Sequence, residues 1–147
     1  MNSKAGYRVK EYSGPVKRYC QTLDLKEDPE LITEYMKRHS QAEAWPEIIA
    51  GIREVGILEM EIYILENRLF MIVETPLDFE WDTAMEKLAG LPRQAEWEDY
   101  MSIFQVASPG ATSAEKWRVM GRGVFFLEEP VLFVRVACNG GGGQILP

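Results

Sequence analysis

The hydrophobic positions of the chain follow two periods, one typical of strands and the other of helices. Alternating patterns predict strands at residues 18–25, 57–65, 68–75 and 124–127, and leave a further strand at 131–136 open. Helical spacing predicts four helices, at about 29–39 and 46–55, after Asp78 and after Pro92. The order of elements is βαββαβ, the plan of ferredoxin-like folds, so the sequence predicts an α+β sandwich.

Local signals set the expected ends of these elements. Asp28-Pro29-Glu30 predicts an N-cap followed by proline at the first helical position. Pro46 can begin a second helix that Gly56 ends, and four apolar residues are expected to face inward from it: Ile48, Ile49, Ile52 and Val55. Glu66-Asn67 predicts a two-residue hairpin because Asn tolerates positive φ, and Asp78 predicts a third helix cap.

The segment Leu69–Val73 is apolar on both faces of its predicted strand. Helices can cover only one face of a four-stranded sheet, so the other face must meet a second sheet, a ligand or both. A homodimer with sheets packed face to face, forming a dimeric α/β barrel, is the economical solution. The alternative is that the N- and C-terminal segments of the same chain fold over that face.

Composition narrows the class of protein further. The chain has 147 residues, 46% of them hydrophobic and 27% charged, which fits one globular domain. Its formal net charge of -7, without a basic stripe, argues against nucleic-acid binding, and no apolar run approaches a membrane span. The N-terminus has no apolar signal region and the cysteines, Cys20 and Cys138, form no motif, so a cytoplasmic location is expected.

Domain bounds follow from the same patterns. We predict a flexible N-terminal segment at 1–16, the main folded domain at 17–127, and an atypical C-terminal extension at 128–147 that includes four consecutive glycines.

His39 is the single histidine of the chain, and Tyr35 lies one helical turn before it. Both side chains project from one helix face, where they could bind a polyol and move a proton near neutral pH. Such a pair is more often a partly buried polar edge, so spacing alone is weak evidence. The same holds for the candidate sugar-stacking residues Trp45, Trp81, Trp97 and Tyr100.

Several kinds of catalytic machinery are missing from the sequence. There is no phosphate-binding glycine loop, no G-x-S-x-G motif, and no His/Cys cluster for a metal. The chemistry that remains is proton transfer without metal or cofactor on a small substrate.

An ordered set of motifs resembles the L-rhamnose mutarotase family, and most closely its L-fucose mutarotase branch. It runs from about residue 17 to 122 and includes Tyr35-Met-Lys-Arg-His39, Trp45-Pro46-Glu47-Ile48, Asn67-Arg68-Leu69-Phe70, Leu91-Pro-Arg-Gln94, Trp97 to Met101 and Glu115-Lys-Trp117. This resemblance implies a ferredoxin-like protomer, a homodimer and a monosaccharide substrate. It also implies that His39 is the proton donor and that Tyr35 contacts the sugar.

Two departures distinguish the chain from the rhamnose enzymes. Trp97 and Glu98 fall where the resemblance implies a substrate-contacting pair of tryptophans, and only Trp97 matches in type. Met60 stands where those enzymes place a substrate-binding tyrosine. These departures favour L-fucose or a related sugar.

The hypothesis is therefore a mutarotase that opens and recloses the ring of a 6-deoxy sugar. Protonated His39 donates to the ring oxygen, and a carboxylate, Glu98 or Glu74, takes the anomeric proton. One rival is another enzyme on the same barrel, either a cofactor-free monooxygenase or a haem-binding oxidative enzyme, although Tyr35 beside His39 does not suggest a haem pocket. A second rival is a non-catalytic module that binds a small ligand on the open sheet face.

Overall fold

A single antiparallel sheet organises the computed structural model, which describes residues 3–125 and 127. Its four strands are β1 (Val16–Asp24), β2 (Glu59–Leu65), β3 (Arg68–Pro76) and β4 (Arg118–Met120). They lie in the order β2-β3-β1-β4, with every neighbouring pair antiparallel. This is the predicted ferredoxin-like topology, and the α+β prediction is confirmed.

The helices connect the strands in two groups. They are α1 (Pro29–Arg38), α2 (Pro46–Glu54), α3 (Trp81–Ala89), α4 (Gln94–Met101) and the short α5 (Ser113–Lys116). The Asp28 carboxylate accepts from the backbone N–H of Glu30 at 2.9 Å, which is the predicted N-cap. Gly56 has a φ of +101°, a left-handed conformation that glycine adopts without strain, and it follows the end of α2 as predicted.

One face of the sheet, which we call the helix face, carries the core. Alternate side chains of β1 and β3 point to this face and are nearly fully buried: Leu23, Leu69, Met71 and Val73. Helical residues such as Tyr35, Ile48 and Met101 pack against them. This pattern positions α1, α2 and α4 over the sheet.

The opposite face, which we call the outer face, is mixed in character. Its register brings together Cys20 and Ile72 on neighbouring strands, and Arg18 opposite Glu74. Phe70 and Ile72 are only partly buried. The second apolar face predicted for β3 is therefore present and incompletely covered among the described residues.

Part of the N-terminal segment lies on the outer face. The Tyr12 hydroxyl donates to Glu74 Oε1 at 3.3 Å, and the ring of Tyr7 meets that of Tyr63 edge-on at 5.6 Å between centroids. The alternative in which a terminal segment covers this face thus has direct support. The homodimer and the domain bounds stay predictions.

The fourth strand was predicted wrongly. It lies at Arg118–Met120, where it pairs with residues 20–22 of β1, and not at 124–127. Val124 is 99% exposed, and Phe125 and Leu127 are also exposed. Residues 124–127 have strand composition, but the edge of β1 is already occupied by the preceding segment. The open prediction at 131–136 and Cys138 lie outside the described residues.

Three local predictions also need correction. Helix α3 begins at Trp81, because Asp78 and Phe79 lie in the preceding turn, where the Phe79 N–H donates to the Pro76 carbonyl. Ile49 is 41% exposed and does not join the core from α2. The positive φ of the hairpin, 55°, is at Glu66, while the Asn67 amide donates to the Leu25 carbonyl at 3.0 Å.

Candidate active site

A cleft of about 470 Å³ lies between the helix face of the sheet and helices α1, α2 and α4. Its size is in the range of sites for small organic ligands. The residues at the five catalytic and substrate-binding positions that the resemblance implies all line this cleft: Tyr35, His39, Met60, Trp97 and Glu98. Of the other candidates, Trp45 lines it, whereas Trp81, Tyr100 and Glu74 do not. The fold thus brings together side chains that lie up to 63 positions apart in the sequence.

His39 occupies the C-cap of α1, where its ring folds back on the preceding turn. Its Nδ1 lies 2.8 Å from the Tyr35 backbone carbonyl. A carbonyl oxygen can only accept a hydrogen bond, so Nδ1 carries a proton in both charge states of the ring. Nε2 is consequently the nitrogen that gains and loses a proton.

Burial sets the proton affinity of His39. The crowded walls of the cleft lower the pKa of the imidazole below its ordinary value of 6.5, and the bond to the Tyr35 carbonyl opposes this only in part. The residue as a whole is nevertheless exposed at the rim, so the ring is crowded by protein atoms on one side and open to solvent on the other. The imidazolium form of His39 therefore loses its proton more readily than free histidine does, and a ligand can reach the ring from solvent.

Aromatic rings surround the imidazole. The ring centroid of His39 is 4.3 Å from that of Tyr35 and 5.4 Å from that of Trp97. Trp97 in turn meets Trp45 edge-on at 5.0 Å, and the Arg93 guanidinium lies 3.9 Å from the centre of a Trp45 ring. Flat apolar surfaces of this kind suit the C–H faces of a sugar.

The Tyr35 hydroxyl is held inside the cleft as a neutral group. Its residue is only 3% exposed, and burial, with the nearby Glu98 carboxylate, raises the pKa of the phenol well above its usual 10. Gln105 Nε2 donates to the hydroxyl oxygen across a long contact of 3.5 Å. The hydroxyl keeps its own proton available for another acceptor.

Glu98 contributes a buried carboxylate on the same side. Lys116 Nζ donates to its Oε2 at 2.9 Å and to its backbone carbonyl at 2.6 Å. Gln94 Nε2 donates to Oε1 at 3.1 Å. Because the Lys116 side chain is fully buried, the two charges compensate each other away from water.

Part of the remaining wall of the cleft is apolar, although Lys10, Arg53, Glu59 and Ser113 also line it. Met60 is partly buried, packs against the core and lines the cleft beside Ile62 and Met71. Ile48 and Ile52 of α2 line it from above. Such a surface accepts a methyl or C–H group and leaves an added hydroxyl unsatisfied.

Glu74, the other candidate base, lies elsewhere. It is on the outer face, where its Oε2 pairs with Arg18 at 3.0 Å and its Oε1 accepts from Tyr12. It does not line the cleft. Of the two predicted carboxylates, only Glu98 shares the cleft with His39.

Gln105 and Lys116 were missed as site residues by sequence reasoning. Gln105 follows α4 and is drawn into the cleft by a backbone bridge to Leu25, a contact across 80 positions that local pattern does not reveal. Lys116 is a residue type that is almost always exposed, so its burial under Glu98 has no sequence signal.

Within residues 3–125 and 127, no group of three or more His, Cys, Asp or Glu side chains is arranged to hold a metal ion. In that same part of the chain, no helix has the length and apolar character needed to cross a bilayer.

The fold and the cleft together define a ferredoxin-like α+β protein with one histidine in a cleft that is large enough for a small organic ligand. Comparison with known proteins identifies the family of this chain. The model of the L-rhamnose mutarotase family matches residues 18–127. The chain belongs to the L-rhamnose mutarotase family, and the prediction of a sugar mutarotase, a carbohydrate isomerase, is confirmed.

Two known proteins and one solved structure are similar to this chain. An L-fucose mutarotase from Xanthomonas campestris pv. campestris is 40% identical over 116 residues, which cover 79% of this chain and 92% of the relative. A UPF0734 protein from Dictyostelium discoideum is 39% identical over 90 residues, which cover 60% and 70% of the two chains. The crystal structure of an L-rhamnose mutarotase from Formosa agariphila has a TM-score of 0.57 at 23% identity, over 76% of this chain and 99% of that one, which supports the fold. These matches do not favour the monooxygenase, haem or binding-module alternatives.

Proposed function

We propose that this chain interconverts the α and β anomers of a 6-deoxy-L-sugar, with L-fucose as the first candidate. The observation that carries the proposal is His39, whose Nδ1 is fixed by the Tyr35 carbonyl while its ring faces an aromatic cleft. The match to the Xanthomonas L-fucose mutarotase supports L-fucose. The apolar wall at Met60 supports a sugar that carries a methyl group at C5 rather than a hydroxymethyl group.

His39 is the general acid of the proposed mechanism. In its protonated form Nε2 donates a proton to the ring oxygen, while Glu98 accepts the proton of the anomeric hydroxyl. The bond between C1 and the ring oxygen breaks, which leaves an open-chain aldehyde and a free C5 hydroxyl. After rotation about the C1–C2 bond, the same groups exchange the protons in reverse and the ring closes on either face of the aldehyde.

The other cleft residues hold the sugar during this exchange. Tyr35 donates its hydroxyl proton to a sugar oxygen, and Trp97 presents a rigid apolar surface to the ring. Met60 contacts the apolar edge. A positioned acid–base group typically contributes about 10²–10⁴-fold, which is sufficient for a reaction that water already supports.

The test is saturation-transfer proton NMR on the anomeric signals of L-fucose and L-rhamnose. Wild type is expected to accelerate exchange, and His39→Ala is expected to lose about 10²–10⁴-fold while retaining its thermal unfolding transition. Failure of wild type to accelerate either sugar would refute the proposal. Full activity of His39→Ala would remove His39 from the mechanism.

The two predicted carboxylates provide a matched control. Glu98 and Glu74 have side chains that are each 11% exposed, but only Glu98 lines the cleft. We expect Glu98→Gln to slow anomer exchange and Glu74→Gln to leave it unchanged. Equal activity in both variants would exclude a carboxylate base at Glu98.

The proposal includes a homodimer formed through the outer face. Partly exposed Phe70 and Ile72 in the centre of the sheet, together with Met120, which is 48% exposed, support a second copy there. Light scattering is expected to give the mass of a dimer for wild type and of a monomer for Ile72→Glu. A monomeric wild type would contradict this part of the proposal. A cytoplasmic location stays a prediction.

A further inference from the structure

The buried side chain of Gln105 has an unsatisfied hydrogen-bond acceptor. It is 3% exposed, it lines the cleft, and its backbone is fixed by the bridge to Leu25. Its Nε2 contacts the Tyr35 hydroxyl oxygen, whereas its Oε1 is buried and has no hydrogen-bond donor among the described residues. An amide carbonyl normally accepts up to two hydrogen bonds.

Buried polar groups without partners are rare in folded proteins because each one loses its bonds to water without replacement. Gln94, the other buried glutamine of the cleft, donates to Glu98 and has no such orphaned atom. Among the described residues, Arg38 Nε and Gln105 Oε1 are buried without a partner, and of these two residues Gln105 lies in the wall of the cleft, next to Tyr35. A ligand hydroxyl that enters the cleft would supply the missing donor.

We propose that Gln105 is a sugar-binding and specificity-determining residue, whose Oε1 accepts a hydrogen bond from one hydroxyl of the substrate. The contact of Nε2 with the Tyr35 oxygen has a second consequence. Because that oxygen accepts from the amide, the Tyr35 O–H is directed to another acceptor, and a second sugar oxygen takes that place. Gln105 and Tyr35 thus present one acceptor and one donor side by side in the cleft. The inference rests on the proposed anomer exchange.

The test combines a variant with substrates that lack single hydroxyls. Gln105→Met keeps the length of the side chain and removes the acceptor, and Gln105→Glu retains an acceptor oxygen at the same position. The matched control is Gln21→Met, because Gln21 is also 3% exposed and on the helix face but does not line the cleft. For each protein, KM and kcat for anomer exchange are measured by NMR with L-fucose and with its monodeoxy analogues.

We expect Gln105→Met to raise KM by roughly tenfold, which is the loss of affinity that corresponds to one neutral hydrogen bond. The change in kcat should be smaller. One monodeoxy analogue should lose the same factor with wild type and lose nothing further with Gln105→Met. Gln105→Glu should retain the discrimination against that analogue, and Gln21→Met should match wild type.

Equal losses for every analogue in wild type and Gln105→Met would overturn the proposal, as would an equal rise of KM in Gln21→Met. If wild type accelerates no anomer exchange, the proposed function fails. The same comparison of analogues is then made by saturation-transfer difference NMR of sugar binding, so the two failures are distinguishable.

Discussion

Two buried carboxylates, one on each face of the sheet, are held in contrasting ways. The Glu98 and Glu74 side chains are each 11% exposed, and each is paired with a cation at about 3 Å. The partner of Glu98, Lys116, is fully buried, whereas Arg18, the partner of Glu74, is 51% exposed. The comparison shows that the cation of the pair on the helix face is fully shielded from water, while the cation of the pair on the outer face is half exposed.

The difference matches the uses that we propose for the two faces. A carboxylate in the cleft must keep a fixed position beside a neutral sugar, so its counter-charge is supplied by the protein itself. The outer face carries a mixture of charges and half-covered apolar groups, which is typical of a surface that meets another chain.

The largest effect is expected at Lys116. Lys116→Met leaves Glu98 buried without its counter-charge, and breaking a buried pair in this way typically costs about 3–5 kcal/mol. Urea unfolding, which reports the free energy of unfolding, measures the change. The double variant Lys116→Met/Glu98→Gln removes both charges and should recover much of the loss. A single variant as stable as wild type would show that water reaches Glu98.

The corresponding change on the outer face should be much smaller. Arg18→Met removes a half-exposed cation, and solvent can replace much of its interaction with Glu74, so the expected cost is about 1 kcal/mol or less. Tyr12 continues to donate to Glu74. The same urea experiment checks the result. A loss as large as that of Lys116→Met would contradict the proposed difference between the two faces.

Much of the fold could be predicted because its signals are local. Asp28 and Pro29 begin α1 as expected, and the alternation in β1 identifies its buried face, whereas β3 is apolar on both faces. The fourth strand could not be located in the same way. The segment 118–120 is short and exposed, and it forms a strand only because it pairs with the edge of β1. Strand pairing over about 100 positions leaves no periodic pattern in three residues.

The site shows the same limit. The spacing of one helix turn places His39 and Tyr35 side by side, and the resemblance to the family supplies their predicted roles together with Trp97, Glu98 and Met60. Gln105 is brought into the site by a backbone bridge to Leu25, which is distant in sequence. Lys116 is fully buried beside Glu98, whereas lysine side chains are usually exposed. Residues of this kind are recognised from unmet or fully buried polar atoms, which only a folded structure defines.

The smallest expected effect is the change of protein stability with pH. The contribution of His39 in the cleft and that of Asp24 on the outer face should be lost in different pH ranges. Burial lowers the pKa of His39 in the folded protein below its ordinary 6.5, so the unfolded chain binds a proton first as pH falls. The stability associated with neutral His39 is therefore fully present above pH 6.5 and is lost as pH falls through the lowered folded value. On the outer face, hydrogen bonds from Arg68 lower the pKa of Asp24 below 3.8, so its contribution is lost only in more acidic solution.

Thermal unfolding at pH 7.5 and pH 5 tests this difference. The stability of wild type relative to His39→Gln should decline between the two values, because only wild type must take up a proton in the cleft. The stability of wild type relative to Asp24→Asn should stay constant over the same interval, since Asp24 remains ionised throughout. A relative stability of His39→Gln that did not change with pH would mean that water solvates the imidazole fully, and that the cleft does not make His39 a stronger acid than free histidine.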